Sequence, residues 1–162
     1  MIPEECKPYQ RRWRDRAVDR NLEDQWLKRL NNLETLDLAS ICEGHVDARP
    51  PSVKRSPRIV LMFKKAYRTS LIEQWNHLKE DLAAAIERIW PDKETRIEFE
   101  ILHRNDNPAE EIEDLIIRII SERKQDTILL PEWTNHWFGQ NLLRTETFDR
   151  LMKNMIIIKG ER

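Results

Sequence analysis

The apolar run RIVLMFK, from Arg58 to Lys64, constrains the fold of this chain more than any other stretch. Its consecutive apolar side chains leave no polar face, which predicts a strand over about residues 58–64 that is covered on both sides. The preceding segment, EGHVDARPPSVKRSP, contains three prolines and a glycine and therefore predicts a long loop. Because a buried strand needs neighbouring strands, the chain is expected to build a sheet.

Three further segments are predicted to be strands of that sheet. Residues 96–102 alternate apolar with charged side chains, which is the period of a strand near a sheet edge with one face in water. Residues 37–42 and 155–159 supply the other two. We expect residues 37–42 to pair antiparallel with the 58–64 strand across the loop. Predicted helices between the later strands allow right-handed parallel crossovers, so that the sheet would be mixed.

Helices are predicted from apolar periodicity and from capping residues. The predicted helix over residues 70–90 has apolar residues at helical spacing from Leu71 to Ile89 and stops before Pro91. The predicted helix over residues 108–123 begins with the cap Asn107 and the first-turn proline Pro108, and it has acidic residues in its first turns. The predicted helices cover about residues 7–33, 70–90, 108–123 and 145–153. Residues 127–143, which contain Pro131 and Gly139, are expected to be irregular with a helical turn.

These elements predict an α+β protein: a three- to four-stranded mixed sheet with helices packed against it. A small three-layer α/β fold is the alternative. A length of 162 residues corresponds to a single domain, residues 1–162. The predicted core consists of Leu61, Phe63, Leu78, Leu82, Ile86, Phe99, Ile116, Ile119 and Ile157.

Composition narrows the classes of function. A hydrophobic fraction of 40% and a charged fraction of 35% describe a soluble globular chain, and the net charge of −1 supplies no overall attraction for nucleic acid or anionic membranes. No segment approaches the roughly 18 apolar residues of a membrane span, and the first ten residues do not form a signal peptide. The two cysteines, Cys6 and Cys42, have unlike surroundings, which predicts free thiols in a reducing, cytoplasmic setting.

The tetrapeptide CEGH, residues 42–45, is the strongest candidate for a site. We expect Gly44 to permit a sharp turn and Cys42 to be a small buried residue at a strand end, so that both are structural. Glu43 and His45 are then either the working groups of the loop or exposed residues of a structural turn. A metal is not expected, because zinc needs three or four protein ligands and no second Cys/His pair is present. No cofactor is expected, and no catalytic class is supported.

An anion is the expected ligand, because arginines and lysines are concentrated just after His45. Trp133 and Trp137 are four residues apart, which suits them to lining a pocket. A shared cavity for these tryptophans and the CEGH loop would join the two segments into one site. The candidate ligand-binding residues are therefore Glu43, His45, Arg49, Arg58, Trp133 and Trp137.

With the apolar strand before it and SPRIVLMF after it, the tetrapeptide resembles a CEGH pattern of small uncharacterised prokaryotic and phage proteins. The resemblance covers residues 36–63. It implies a site in this region and carries no particular activity with it.

Two other classes of function stay open. In KPYQRRWRDRAVDR, a helix would align Arg12, Arg16 and Arg20 as one basic ridge that could contact phosphates. Because the whole chain is not basic, we favour a solvated helix face paired with the acidic residues 110–114, and nucleic-acid binding is not expected. The third class is a protein-interaction or adaptor module, including a homo-oligomer, that uses this basic helix against an acidic face.

Overall fold

The computed structural model describes residues 10–14, 16–19, 22–42, 56–103, 112–122 and 131–157. Within these ranges the chain has the predicted α+β composition, with six strands and four helices. In chain order they are β1 Gln10–Trp13, β2 Arg16–Asp19, α1 Asp24–Asn31, β3 Leu36–Cys42, β4 Arg58–Phe63, α2 Lys65–Glu73, α3 Trp75–Ile89, β5 Thr95–His103, β6 Ile112–Ser121 and α4 Pro131–Met155.

The main sheet has four strands in the order β3-β4-β6-β5. The apolar β4 is a central strand, as its lack of a polar face predicts, and it pairs antiparallel with β3 as expected. The charged-alternating strand β5 lies at a sheet edge, which confirms the interpretation of its two-residue period. In one row across the sheet, Ile59 and Ile97 flank Ile119.

The prediction of a mixed sheet is wrong, since all neighbouring strands of this sheet are antiparallel. Both β4 and β5 are antiparallel to β6, so they run in the same direction and α2 and α3 connect them. β6 follows β5 in the chain and inserts between the two, which makes a split βαβ arrangement. The crossover therefore exists, but its two strands are not neighbours.

The hydrophobic core fills the space between the helices and one face of the main sheet. Phe63 of β4 contacts both Phe99 and Phe148, with ring centroids 5.9 and 6.3 Å apart, and Trp26 of α1 stacks on Phe138 at 5.7 Å. The largest buried side chains of this core include Phe63, Phe138, Phe148, Leu27, Leu61, Leu71, Ile117 and Ile119. All four helices contribute to it.

The predicted core is confirmed for Leu61, Phe63, Leu78, Leu82 and Ile119. Ile86 and Phe99 are half-buried at its margin. Ile116 is buried, but it alternates with the inward-facing Ile117 and belongs to the opposite face of the sheet. Ile157 is wrong as a core residue: its side chain is 69% exposed.

The predicted helix over 108–123 is a strand, β6, in the part of it that the structure describes. Its apolar residues include an unbroken Leu115–Ile117 run followed by Ile119 and Ile120, which fits helical spacing and a strand covered on both faces equally well. β-branched isoleucine favours the strand, and the pairing with both β4 and β5 decides the outcome.

The predicted helix over 7–33 is also wrong except at α1. The described residues before α1 form a hairpin in which Arg12 is opposite Ala17 and Trp13 is opposite Arg16. Arg14, at the turn, has a φ of 55° and lies with its guanidinium 4.4 Å from the Trp13 ring centroid. Trp13 itself is buried in the core, so the hairpin is anchored by its aromatic residue.

At the carboxyl end, one 25-residue helix, α4, replaces two predicted elements. It begins at Pro131, a position that favours proline because the first helical N–H needs no partner, and it continues through Gly139. It includes the predicted helix 145–153 and shows that residues 131–143 are not irregular. The strand predicted over 155–159 is absent from its described part, since Met155 ends the helix and Ile157 is exposed; residues 158–159 lie outside the described ranges.

The predicted helix 70–90 is confirmed in the form of two consecutive helices. α2 begins earlier than predicted, at Lys65, and is separated from α3 by Gln74. Trp75 begins α3 and stacks on Phe99 with ring centroids 6.0 Å apart, so this helix lies against the β5 side of the sheet.

Candidate functional site at the Cys42–Arg58 end of the sheet

The side chains that alternate with the core residues form a second surface of the main sheet, here called the outer face. The strand register arranges it in three rows: Cys42, Arg58, Ile120 and Arg96; Ser40, Val60, Arg118 and Glu98; Asp37, Met62, Ile116 and Glu100. None of these residues belongs to the described hydrophobic core, which collects side chains from all the helices. Among the described elements, the helices therefore lie on the opposite side of the sheet.

The outer face is apolar along its two central strands and polar along its two edge strands. Val60 and Met62 of β4 are half-buried. Ile116 and Ile120 of β6 are only 8% and 7% exposed. In the register Ile120 lies between Arg58 and Arg96, whose methylene stems are long enough to cover a neighbouring apolar side chain.

Two of the three arginines on the outer face have carboxylate partners. Arg96 forms ion pairs with Glu98 at 3.1 Å and Glu122 at 3.3 Å. Arg118, which is half-buried, is paired with Glu100. These pairs neutralise the charge on the β5 side of the face.

Arg58 differs from the other two. It is half-buried, and its Nε donates a long hydrogen bond of 3.5 Å to the carbonyl oxygen of Ser56. Within the described part of the chain, no carboxylate forms an ion pair with it. Among the described residues, the Cys42 end of the outer face therefore has an arginine whose charge no carboxylate balances.

Cys42 lies directly opposite Arg58 in the register of β3 and β4. It is half-buried and outside any disulfide, whereas the sequence predicted a buried residue. The register shifts between Leu38 and Ser40, and this bulge changes the phase of the strand so that Ile41 is buried with Leu36 and Leu38. Without the bulge, the two-residue period would direct Cys42 into the core.

The remaining predicted residues of the loop, Glu43, Gly44, His45 and Arg49, lie outside the described residues. Their roles stay predictions. The chain on either side of the loop is described, however, and Cys42 and Arg58 are cross-strand partners, so their Cα atoms are only about 5 Å apart. Both ends of the CEGH loop therefore start from the same corner of the outer face.

The two predicted pocket tryptophans lie on the other side of the sheet. Trp137 of α4 is 3% exposed and belongs to the core, and Trp133 is half-buried against it. Because the sheet separates α4 from the outer face, Trp137 and Arg58 do not share a cavity. Trp137 is nonetheless unusual, because its buried indole Nε1 has no hydrogen-bond acceptor among the residues that the structure describes.

A hydrogen-bonded group lies beside Trp137 in the core. The indole Nε1 of Trp90 donates to Oδ1 of the fully buried Asn141 at 2.9 Å, and the Asn141 amide donates to the carbonyl oxygen of Trp137 at 2.9 Å. Thr145 Oγ1 donates to the Asn141 carbonyl oxygen at 2.6 Å. These bonds connect the end of α3 to α4 and are structural.

The predicted basic ridge is not formed. Arg12 and Arg16 occupy neighbouring rungs of the β1–β2 hairpin, so they alternate in the pleat and are not stacked along a helix. Arg20 lies outside the described ranges. The geometric argument for a phosphate-binding helix at the amino-terminal end is therefore removed.

The paired charges of the outer face were not identified from the sequence as parts of a site. Their signal was present in the alternation of β5, which places Arg96, Glu98 and Glu100 on one side. The alternation does not show which strand pairs with β5. Arg118 lies beside these residues only because β6 is a strand next to β5.

Comparison of the chain with protein families, with curated proteins and with solved structures finds no match. In the ranges that the structure describes, no three His, Cys, Asp or Glu residues are grouped so as to hold a metal ion. None of the described helices has the length and apolar character needed to cross a membrane.

Proposed function

We propose that this protein binds a small anionic ligand at the Cys42–Arg58 end of the outer face. The observation that carries the proposal is the contrast among the arginines of this face: Arg96 and Arg118 are paired with glutamates, and Arg58 has no described carboxylate partner. The ligand would supply the missing negative charge.

Electrostatics and geometry favour a phosphate or carboxylate as the bound group. A half-buried guanidinium loses part of its hydration, and an oxyanion that accepts two of its N–H groups restores that loss in a charge-assisted, bidentate contact. In the sequence, His45, Arg49, Lys54 and Arg55 lie in the loop whose two ends meet at this corner. Their side chains would add donors to the same ligand.

A cytoplasmic location is part of this proposal. Cys42 lies beside the site, is half-buried and forms no disulfide, which is the state that a reducing compartment maintains. The proposed function is ligand binding; no reaction is assigned to the site.

Thermal denaturation with added inorganic phosphate or pyrophosphate tests the proposal. A ligand present at about a hundred times its dissociation constant stabilises the native state by about 2.7 kcal/mol. For a chain of this size we therefore expect a rise in Tm of about 5–10 °C. The Arg58→Gln variant should lose this rise.

Arg144→Gln is the matched control, because Arg144 is also half-buried but is paired with Asp92 at 3.0 Å on the other side of the molecule. Its ligand-induced rise in Tm should equal that of the unmodified chain, even where its own stability is lower. The proposal is overturned by an absent rise with both anions, or by a rise that Arg58→Gln retains in full.

A further inference from the structure

The two edges of the main sheet differ in how they are protected. At one edge, β3 contains the bulge between Leu38 and Ser40 and has β2 of the hairpin beside it. At the other edge, β5 keeps a continuous register with β6 from Thr95 to Leu102. No described strand pairs with the outward side of β5. Long unpaired edges of this kind are templates for a further strand.

The hydrogen bonds of β6 define which residues of β5 present their backbone groups to that open edge. Ser121 N donates to the carbonyl oxygen of Pro57, on the β4 side, and Glu122 N donates to the carbonyl oxygen of Glu94, on the β5 side, at 2.9 and 2.7 Å. Backbone direction alternates along a strand, so the even-numbered residues of β5 bond to β6. The N–H and C=O groups of Thr95, Ile97, Phe99 and Ile101 consequently point away from the sheet.

We propose that two copies of this chain associate through β5, antiparallel about a twofold axis that passes beside Glu98. In this register Ile97 is opposite the partner's Phe99, and Thr95 is opposite the partner's Ile101. These are the residues with outward backbone groups, so each such pair exchanges two hydrogen bonds. The two sheets then form one continuous sheet of eight strands.

Charge complementarity selects this register. It places Arg96 opposite the partner's Glu100 twice, once on each side of the axis, in the closely spaced type of cross-strand pair. Glu98 faces its own copy, which is one like-charge pair against two opposite-charge pairs. All three residues also have partners within their own sheet, Arg96 with Glu98 at 3.1 Å and Glu100 with Arg118.

The neighbouring registers are worse. Moving the axis to Phe99 places Glu98 opposite the partner's Glu100 twice, and like charges directly opposite each other are destabilising. Moving it to Ile97 places Arg96 opposite the partner's Glu98 twice, but it also places Glu94 opposite the partner's Glu100 twice and shortens the paired segment. Of these three symmetric pairings, the one centred on Glu98 therefore has the best balance of opposite-charge over like-charge pairs.

The contact would also cover apolar surface at the β5 edge. Ile97 and Phe99 are half-buried, and Trp75 stacks on Phe99 close to that edge. A β-branched residue opposite an aromatic residue is a favourable cross-strand pair. The interface is therefore a backbone ladder with an apolar row on the helix side and an ion-paired row on the outer face.

Charge reversal with mixing of two variants tests the proposal by sedimentation velocity. The unmodified chain should show a species of twice its 19.6 kDa at about 100 µM, a concentration above the micromolar range of weak specific interfaces. Arg96→Glu alone and Glu100→Arg alone each place like charges opposite each other twice. Each variant should dimerise about tenfold or more weakly than the unmodified chain.

An equimolar mixture of the two variants should recover the dimer, because every reversed position then faces an opposite charge in the mixed pair. Recovery also shows that both variants are folded. The proposal is overturned if the unmodified chain is monomeric at that concentration, if the single reversals leave dimerisation unchanged, or if the mixture stays as weak as its components.

Discussion

The carboxylate of Asp149 in α4 accepts two hydrogen bonds from Thr35, one from its backbone N–H at 2.8 Å and one from its hydroxyl at 2.5 Å. Its other oxygen accepts the backbone N–H of Glu34 at 2.9 Å. Asp149 and Thr35 are both buried. This carboxylate ties the last described helix to the segment immediately before β3, across 114 positions of sequence.

Removal of that carboxylate should destabilise the fold. Asp149→Ala leaves buried donors without an acceptor, and we expect the free energy of unfolding to fall by about 3 kcal/mol in urea melts. Thr147→Ala, at an exposed position of the same helix, should change it by less than about 0.5 kcal/mol. Similar losses for the two variants would contradict the assigned role of Asp149.

Trp90 and Trp137 offer a comparison of two buried indoles. Replacement of either by Phe removes the same atoms. Within the described ranges, however, only Trp90 Nε1 has a partner, the side-chain oxygen of Asn141. Trp90→Phe strands that oxygen, whereas Trp137→Phe removes a donor that was already unsatisfied. We expect Trp90→Phe to be the more destabilising by about 1–3 kcal/mol in chemical denaturation. The reverse order would show that the Trp137 N–H is satisfied in solution.

Gly139 lies inside α4 at a position where a methyl group has room. A Cβ atom built there meets no heavy atom within 4 Å. Gly139→Ala should therefore raise the free energy of unfolding by about 0.5–1 kcal/mol, because glycine loses more conformational freedom on folding. The control is the opposite substitution, Ala84→Gly, at an exposed site in α3, which should lower the free energy of unfolding by about 1 kcal/mol. A loss of stability in Gly139→Ala would mean that the helix does not continue through this position.

Leu82 and Ile157 test the assignment of the core. Leu82 is 3% exposed, and its replacement by Ala should destabilise the chain by about 2–5 kcal/mol through lost burial and the remaining cavity. Ile157→Ala, at an exposed position, should change stability by less than about 0.5 kcal/mol in the same melts. A large effect at Ile157 would restore the sequence-based expectation that it belongs to the core.

Elements with a single possible period were predictable from the sequence. The β4 run is too short for a buried helix and has no polar face, and β5 alternates strictly, so both strands followed from local pattern. The apolar stripe of α3 was equally clear. In each case local preference and tertiary environment favour the same structure.

Segments whose pattern satisfies two periods were not predictable. The isoleucines of β6 fit a helical stripe, and Asn107 and Pro108 resemble a helix start, yet a strand covered on both faces has the same composition. Tertiary pairing with β4 and β5 is the deciding contribution, and it depends on residues distant in sequence. Pro131 and Gly139 predicted an irregular segment where the structure has a helix. Packing of the helix against the core outweighs the local cost of one glycine.

The pairing of Cys42 with Arg58 could be predicted from the sequence, but the face of the sheet on which they lie could not. Cys42 and Arg58 lie at the two ends of the loop, and the antiparallel pairing of their strands was predicted and is confirmed. The face on which they lie depends on the bulge after Leu38, which leaves no clear signal in LDLASIC. The separation of Trp137 from Arg58 likewise required knowledge of which face α4 covers.

The position of α4 in the chain has a consequence for biosynthesis. All the described strands precede it, and its 25 residues form a rod about 37 Å long that supplies Phe138, Phe148 and Met152 to the core. On the ribosome, the sheet is therefore made while a large part of its apolar covering has not yet been translated. We expect the nascent chain to stay open on that side, exposed to chaperones and to aggregation, until α4 emerges and Asp149 can reach Thr35.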